Sequence, residues 1–139
     1  MITLQTYLRG YEQLYPSEFT PEVFQNATTT IDRVNLLIKT MQEDGVVIEN
    51  HPKHGNPVSS GWRPAAVNAN VKGAAPRSKH MTAQACDLYD PEGEIDEWCF
   101  SHPEVLAAIG LWLEHPSATK GWCHLQVVPP RSGNRFFYP

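Results

Sequence analysis

The stretch Ser78-Lys79-His80-Met81-Thr82-Ala83-Gln84-Ala85-Cys86-Asp87-Leu88-Tyr89 marks the point where the chain passes from loop into sheet. Ala85 to Tyr89 reads as a short strand, stopped by the turn-rich Asp90-Pro91-Glu92-Gly93. His80 and Asp87, seven residues apart, therefore bracket the start of that strand. Near the C-terminus a second strand is expected over Cys123 to Val128, with His124, Gln126 and Val128 on one face and Cys123, Leu125 and Val127 on the other.

Upstream, Leu4, Tyr7, Leu8, Tyr11 and Leu14 follow the helical period behind Thr3 as N-cap, and Pro16 closes one short amphipathic helix. Thr20 as cap and Pro21 at the first helical position open a longer helix, with Val23, Phe24, Ala27, Ile31, Val34, Leu37, Ile38 and Met41 on its apolar face and Gly45 beyond its end. Its Thr28-Thr29-Thr30 run has poor helix propensity, so packing must hold it. Val46-Val47-Ile48 predicts a short strand, and Val58 to Trp62 another, with turn formers between. Arg63 to His80 has no sustained apolar period, and a loop of that length in a compact domain usually serves function or is disordered.

Downstream, Ser101 and Glu104 are spaced as a capping box around Pro103, and Val105, Leu106, Ile109, Trp112 and Leu113 predict a third helix reaching Pro116. The Ser132-Gly133-Asn134 turn before Arg135 to Tyr138 predicts a terminal β-hairpin. The expected fold class is α+β, a small antiparallel sheet with flanking helices in one domain over residues 1–139.

The composition narrows the function. At 139 residues, 41% hydrophobic and 19% charged, the chain excludes disorder and fibrous repeats as its main theme. A net charge of −4 without a Lys/Arg block makes nucleic acid an unexpected partner. No apolar run is long enough to span a bilayer and no basic-then-apolar leader opens the chain, so neither a transmembrane segment nor a signal peptide is expected. The three cysteines, Cys86, Cys99 and Cys123, are odd in number and form no Cys-x-x-Cys pair, so reduced, buried thiols are expected rather than a disulfide framework.

His51, His54, His102 and His115 read as ordinary surface or core histidines. His80, Asp87 and His124 differ in sitting on or beside strands; two imidazoles and a carboxylate suit catalytic zinc with a fourth position left for water, although spacing alone is a weak signal. The rival is a structural site built from the cysteines and a histidine. Adjacent residues on a strand point to opposite faces, so Cys123 and His124 do not easily share one metal.

The run Ser60-Gly61-Trp62-Arg63-Pro64-Ala65-Ala66-Val67-Asn68-Ala69-Asn70-Val71-Lys72-Gly73-Ala74, followed by Ser78 to Asp87 and then Trp122-Cys123-His124, resembles the zinc D-Ala-D-Ala carboxypeptidase family. That family includes phage L-alanyl-D-glutamate endolysins and shares its fold with the Hedgehog signalling domain. The resemblance covers about Ser60 to Val128. It implies zinc bound by His80, Asp87 and His124, with Arg63 pairing with a substrate carboxylate, Ser78 orienting the loop or a ligand, and Trp122 and Gln126 facing substrate.

Three positions depart from the family pattern. Many members carry an acid three residues before the last histidine as general base, where this chain has Gly121. Ala83 stands where glycine is common, and Trp122 and Gln126 where many members have a second histidine. Glu114 is the nearest upstream carboxylate and stands beside Arg63 as a candidate catalytic residue, placed at the end of the third helix. The implied function is a monomeric zinc metallopeptidase, of D-Ala-D-Ala carboxypeptidase or L-alanyl-D-glutamate endopeptidase type, acting on peptidoglycan stem peptides. A phage lysis enzyme made in the host cytoplasm, or a virion-borne component, fits; the alternative is an inactive zinc-containing domain that binds cell wall or serves as a structural phage part.

Overall fold

A computed structural model describes all residues 1–139. Helix α1 (Leu4–Leu8) and helix α2 (Tyr11–Leu14) replace the one helix expected there. Thr3 and Thr6 close a capping box at the start, but Arg9 and Gly10 adopt left-handed conformations (φ 56° and 78°) and break the period. The Arg9 guanidinium then turns to donate to the carbonyls of Val58 and Ser59.

Helix α3 (Pro21–Glu43) matches the sequence expectation at both ends. The Thr20 hydroxyl accepts from Val23 N at 3.2 Å, and Val23, Ala27, Ile31, Val34, Leu37, Ile38 and Met41 are buried along one stripe. Thr30 lies in that stripe and donates to the Ala83 carbonyl at 2.7 Å, which ties α3 to the loop ahead of the sheet. Val46 and Ile48 pack against the core but find no partner strand, so the strand expected at Val46–Ile48 is absent.

Strand β1 (Val58–Ser60), helix α4 (Ala65–Asn68), strand β2 (Ala85–Asp90), helix α5 (Glu94–Ser101), helix α6 (Pro103–Ile109), strands β3 (Trp112–Glu114), β4 (Gly121–Gln126) and β5 (Phe136–Phe137) complete the chain. The sheet order is β1-β2-β4-β3-β5. The first three pairings are antiparallel, but β5 runs parallel to β3, so the sheet is mixed rather than antiparallel throughout. The C-terminal segment passes β4 and joins the edge beyond it, through Leu113 N to Arg135 O and His115 N to Phe137 O, instead of closing a hairpin. Stacking of the Arg135 guanidinium 4.5 Å over Trp112 and its bond to the Leu111 carbonyl fasten it there.

The third helix also ends earlier than its apolar pattern implies. Gly110 (φ 90°) terminates α6, after which Leu111 and Leu113 are buried while Trp112 and Glu114 are half-buried, a period of two. Ser101 caps nothing, being the last residue of α5. Helix α5 follows the turn after β2, where the Asp90 carboxylate accepts from Ile95 N and Asp96 N and serves the donors of its first turn. A continuous core joins α3, α1 and the inward face of the sheet, from Ile2 to Leu125.

Candidate metal centre

Strand alternation decides which side chains meet. Cys86 and Leu88 on β2, and Cys123 and Leu125 on β4, point into the core, so Asp87 and His124 share the opposite face. They are directly paired across the antiparallel ladder, with Asp87 Oδ1 at 2.9 Å from His124 Nδ1. His80 arrives from the loop before β2. Its Nδ1 lies 2.8 Å from the Gly61 carbonyl, its own carbonyl accepts from Arg63 N, and its backbone N–H donates to the Ser78 hydroxyl.

Hydrogen-bond logic fixes both imidazoles. A carbonyl only accepts, so His80 carries its proton on Nδ1 and aims Nε2 inward. That nitrogen is 3.2 Å from Asp87 Oδ2 but not aligned for a hydrogen bond, and it is buried without a partner. The Gln126 amide nitrogen donates to the Val128 carbonyl, which leaves Gln126 Oε1 to accept from His124 Nε2 at 3.0 Å. In neutral His124 the Nδ1 lone pair then faces a carboxylate oxygen at 2.9 Å, a contact satisfied either by a proton on Nδ1 or by a metal ion shared with Asp87. The three ligand atoms lie within 4.8 Å of one another. An orphaned imidazole nitrogen and an N₂O donor set fit a zinc ion with one position open.

The electrostatics agree. Burial works to raise Asp87, but the neighbouring His80 and His124 imidazoles and the hydrogen bond from His124 outweigh it and hold the carboxyl well below the usual range. Burial likewise opposes charge on His124, and the Asp87 hydrogen bond and charge overcome it, raising the imidazole above its ordinary value.

Glu114 is a strand residue, not a helix-end one as expected. The ladder pairs Trp112–Gln126 and Leu113–Leu125, continued by one residue, set Glu114 opposite His124 on the metal face. Burial raises its pKa, with Asp87 adding to the rise and His124 opposing it. Gly121 stands at φ 99° with no side chain to offer, and Asp90 is engaged with α5. Arg63 is half-buried, donates through Nη2 to the Ser78 hydroxyl at 3.2 Å and feels the Asp87 charge. Trp122 shares the His124 face two residues away, half-buried. Gln126 is buried and holds His124.

One contributor, the Gly61 carbonyl, escapes sequence reasoning because a backbone group has no side-chain signature; Gln126, expected to face substrate, instead bonds the His124 ring, and its place two positions along the same strand face is the signal for that contact. Cys86, Cys99 and Cys123 are free and buried, and none joins the ligand cluster. His102 stacks on Trp98 and His115 on Tyr138, while His51 and His54 stack on each other.

The Peptidase M15 family model matches residues 12–102, a span that contains His80 and Asp87 and ends before Glu114 and His124. No curated protein and no solved structure matches the chain. The model covers well over half of the sequence, and the chain belongs to the Peptidase M15 family of zinc-dependent metallopeptidases.

Proposed function

We propose that the protein is a zinc peptidase cleaving an amide bond in the stem peptide of bacterial peptidoglycan, in a phage or prophage lysis role. The observation that carries this reading is the convergence of His80, Asp87 and His124 with Glu114 on one sheet face. His80, Asp87 and His124 would hold the ion, which when bound supplies Lewis acidity to the scissile carbonyl and acidifies water. Glu114, its pKa raised by burial, takes the proton of the attacking water and passes it to the leaving amine. Its reach from β3 makes an acid at position 121 unnecessary. Arg63 grips a substrate carboxylate through the N–H groups that Ser78 leaves free, and Trp122 borders the substrate. Gln126 keeps His124 in the tautomer the metal needs.

Digestion of purified cell wall by the zinc-loaded chain tests the reading. New amino termini and stem-peptide fragments identified by mass spectrometry are expected. Sedimentation with the wall and no release of peptide would favour the inactive wall-binding alternative.

A further inference from the structure

A cavity of about 230 Å³ is formed where the N-terminal helices meet the end of β1, and it shares with the metal centre Gly61, whose carbonyl holds the His80 ring, and Arg63, whose N–H donates to the His80 carbonyl. Its walls include Tyr7, Arg9, Tyr11, Ser59, Trp62 and Arg63, and no acidic residue lines it. The only ion pairs in the protein join Asp87 to its two histidines, so neither arginine has a carboxylate within 4.0 Å. Two half-buried guanidinium groups thus face one cavity without a carboxylate in ion-pair contact, Arg63 feeling Asp87 only at longer range, in a chain whose net charge is −4. Desolvated charge is costly unless it is paired.

Each guanidinium is held in place while keeping donors free. Arg9 Nη2 donates to the Val58 and Ser59 carbonyls at 3.1 and 3.2 Å, which leaves the hydrogens on Nη1 and Nε without a protein acceptor. Arg63 uses Nη2 on the Ser78 hydroxyl, and its Nε is buried with no partner. Burial lowers the pKa of both arginines, opposed at Arg63 by the Asp87 charge, and the Tyr11 phenol is close enough to each to act on its charge. Arg9 reaches this place through a left-handed backbone (φ 56°) that a residue with a side chain rarely adopts. The seat of α1 is fixed by the Trp62 N–H donating to the Tyr7 carbonyl at 3.3 Å, one residue from the Gly61 carbonyl that anchors His80.

We propose that Arg9 and Arg63 together form a subsite for a substrate residue bearing two carboxylates, held beside the bond presented to the metal centre. One carboxylate can satisfy one planar fork; two forks and a cavity smaller than drug-sized pockets select a single residue with two acids. As a specificity site it rests on the peptidase reading of the metal centre, whereas its anion binding does not.

The test titrates the zinc-loaded chain with glutarate and with pentanoate, a dicarboxylate and a monocarboxylate of equal carbon count, by calorimetry and by backbone amide shifts. Glutarate is expected to bind about tenfold or more tightly, the worth of a charge-assisted pair, and to move the amides of Arg9, Tyr11 and Arg63 together. Arg9→Gln should cut the glutarate-to-pentanoate ratio about tenfold, and lower by a similar factor the ratio of kcat/KM between a free-acid peptide and its carboxamide. Equal affinity for the two ligands, or shifts confined to other regions, overturns the proposal even if Arg9→Gln does not fold; so does a preference that survives in a folded Arg9→Gln. The expected binding in a chain that cleaves no wall peptide would support the anion site and remove the peptidase reading.

Discussion

The carbonyl of Gly61 accepts the Nδ1 proton of His80 at 2.8 Å, while the α-carbon of the same glycine is pressed against the Tyr7 carbonyl so closely that a β-carbon would collide with it. One residue therefore seats the N-terminal helix and fixes the tautomer of a metal ligand. Gly61→Ala is expected to destabilise the protein by about 3 kcal/mol, the upper end for overpacking because the obstacle is backbone. It should weaken zinc binding as well. Urea unfolding and chelator competition measure the two effects, and a variant of ordinary stability would contradict the close approach.

His80→Ala and Asp87→Ala should each abolish stoichiometric zinc, measured by metal analysis of the folded chain. Chelation of the wild type should lower its melting temperature, since the ion would tie together ligands from the loop before β2, from β2 and from β4. Normal zinc content in either variant would reject the ligand set.

Gln126→Leu removes the acceptor of the His124 Nε2 proton and leaves the Val128 carbonyl without its donor. Zinc affinity should fall about 10- to 100-fold with the three ligands intact, read by competition with a chromogenic chelator. Unchanged affinity would mean that the strand alone orients the ring.

Glu114→Gln preserves shape and removes the base. Zinc content and unfolding should stay at wild-type values while turnover on wall peptides drops about 10²- to 10⁴-fold. Full activity would exclude Glu114.

Away from the metal, burial raises Asp96 to about 6, against hydrogen bonds from Thr119 and Cys123 that favour its charged form. Because the folded-state pKa exceeds the unfolded value near 4, the folded protein binds more protons between those values, and stability falls as pH rises from about 4 to about 6. Asp96→Asn, which can still accept from Thr119, should lose this slope and be more stable than wild type at pH 8 by about 1 kcal/mol, solvent screening reducing the full linkage. Denaturant unfolding at pH 4, 6 and 8, at one fixed metal loading, checks it; parallel curves for the two proteins would refute the assignment.

Helix α3 was legible because its signals are local: Thr20 and Pro21 start it, a 3.6-residue apolar stripe sustains it, and Gly45 lies past its end. Strands β2 and β4 were legible by alternation, and His80, Asp87 and His124 by the company of residues around them. What tertiary structure alone decided depends on pairing over long sequence distances. Trp112 and Leu113 extend a helical pattern as readily as a strand, and only the bonds to Gln126 and Leu125 on β4 and to Phe136 on β5 choose the strand. That choice carries Glu114 from a helix end to the side of His124, because register is set by ladder bonds and core burial rather than by the nine residues between them. The same holds for Gly61 and Arg9, whose roles arise where α1 packs against β1 and which no local period or cap encodes.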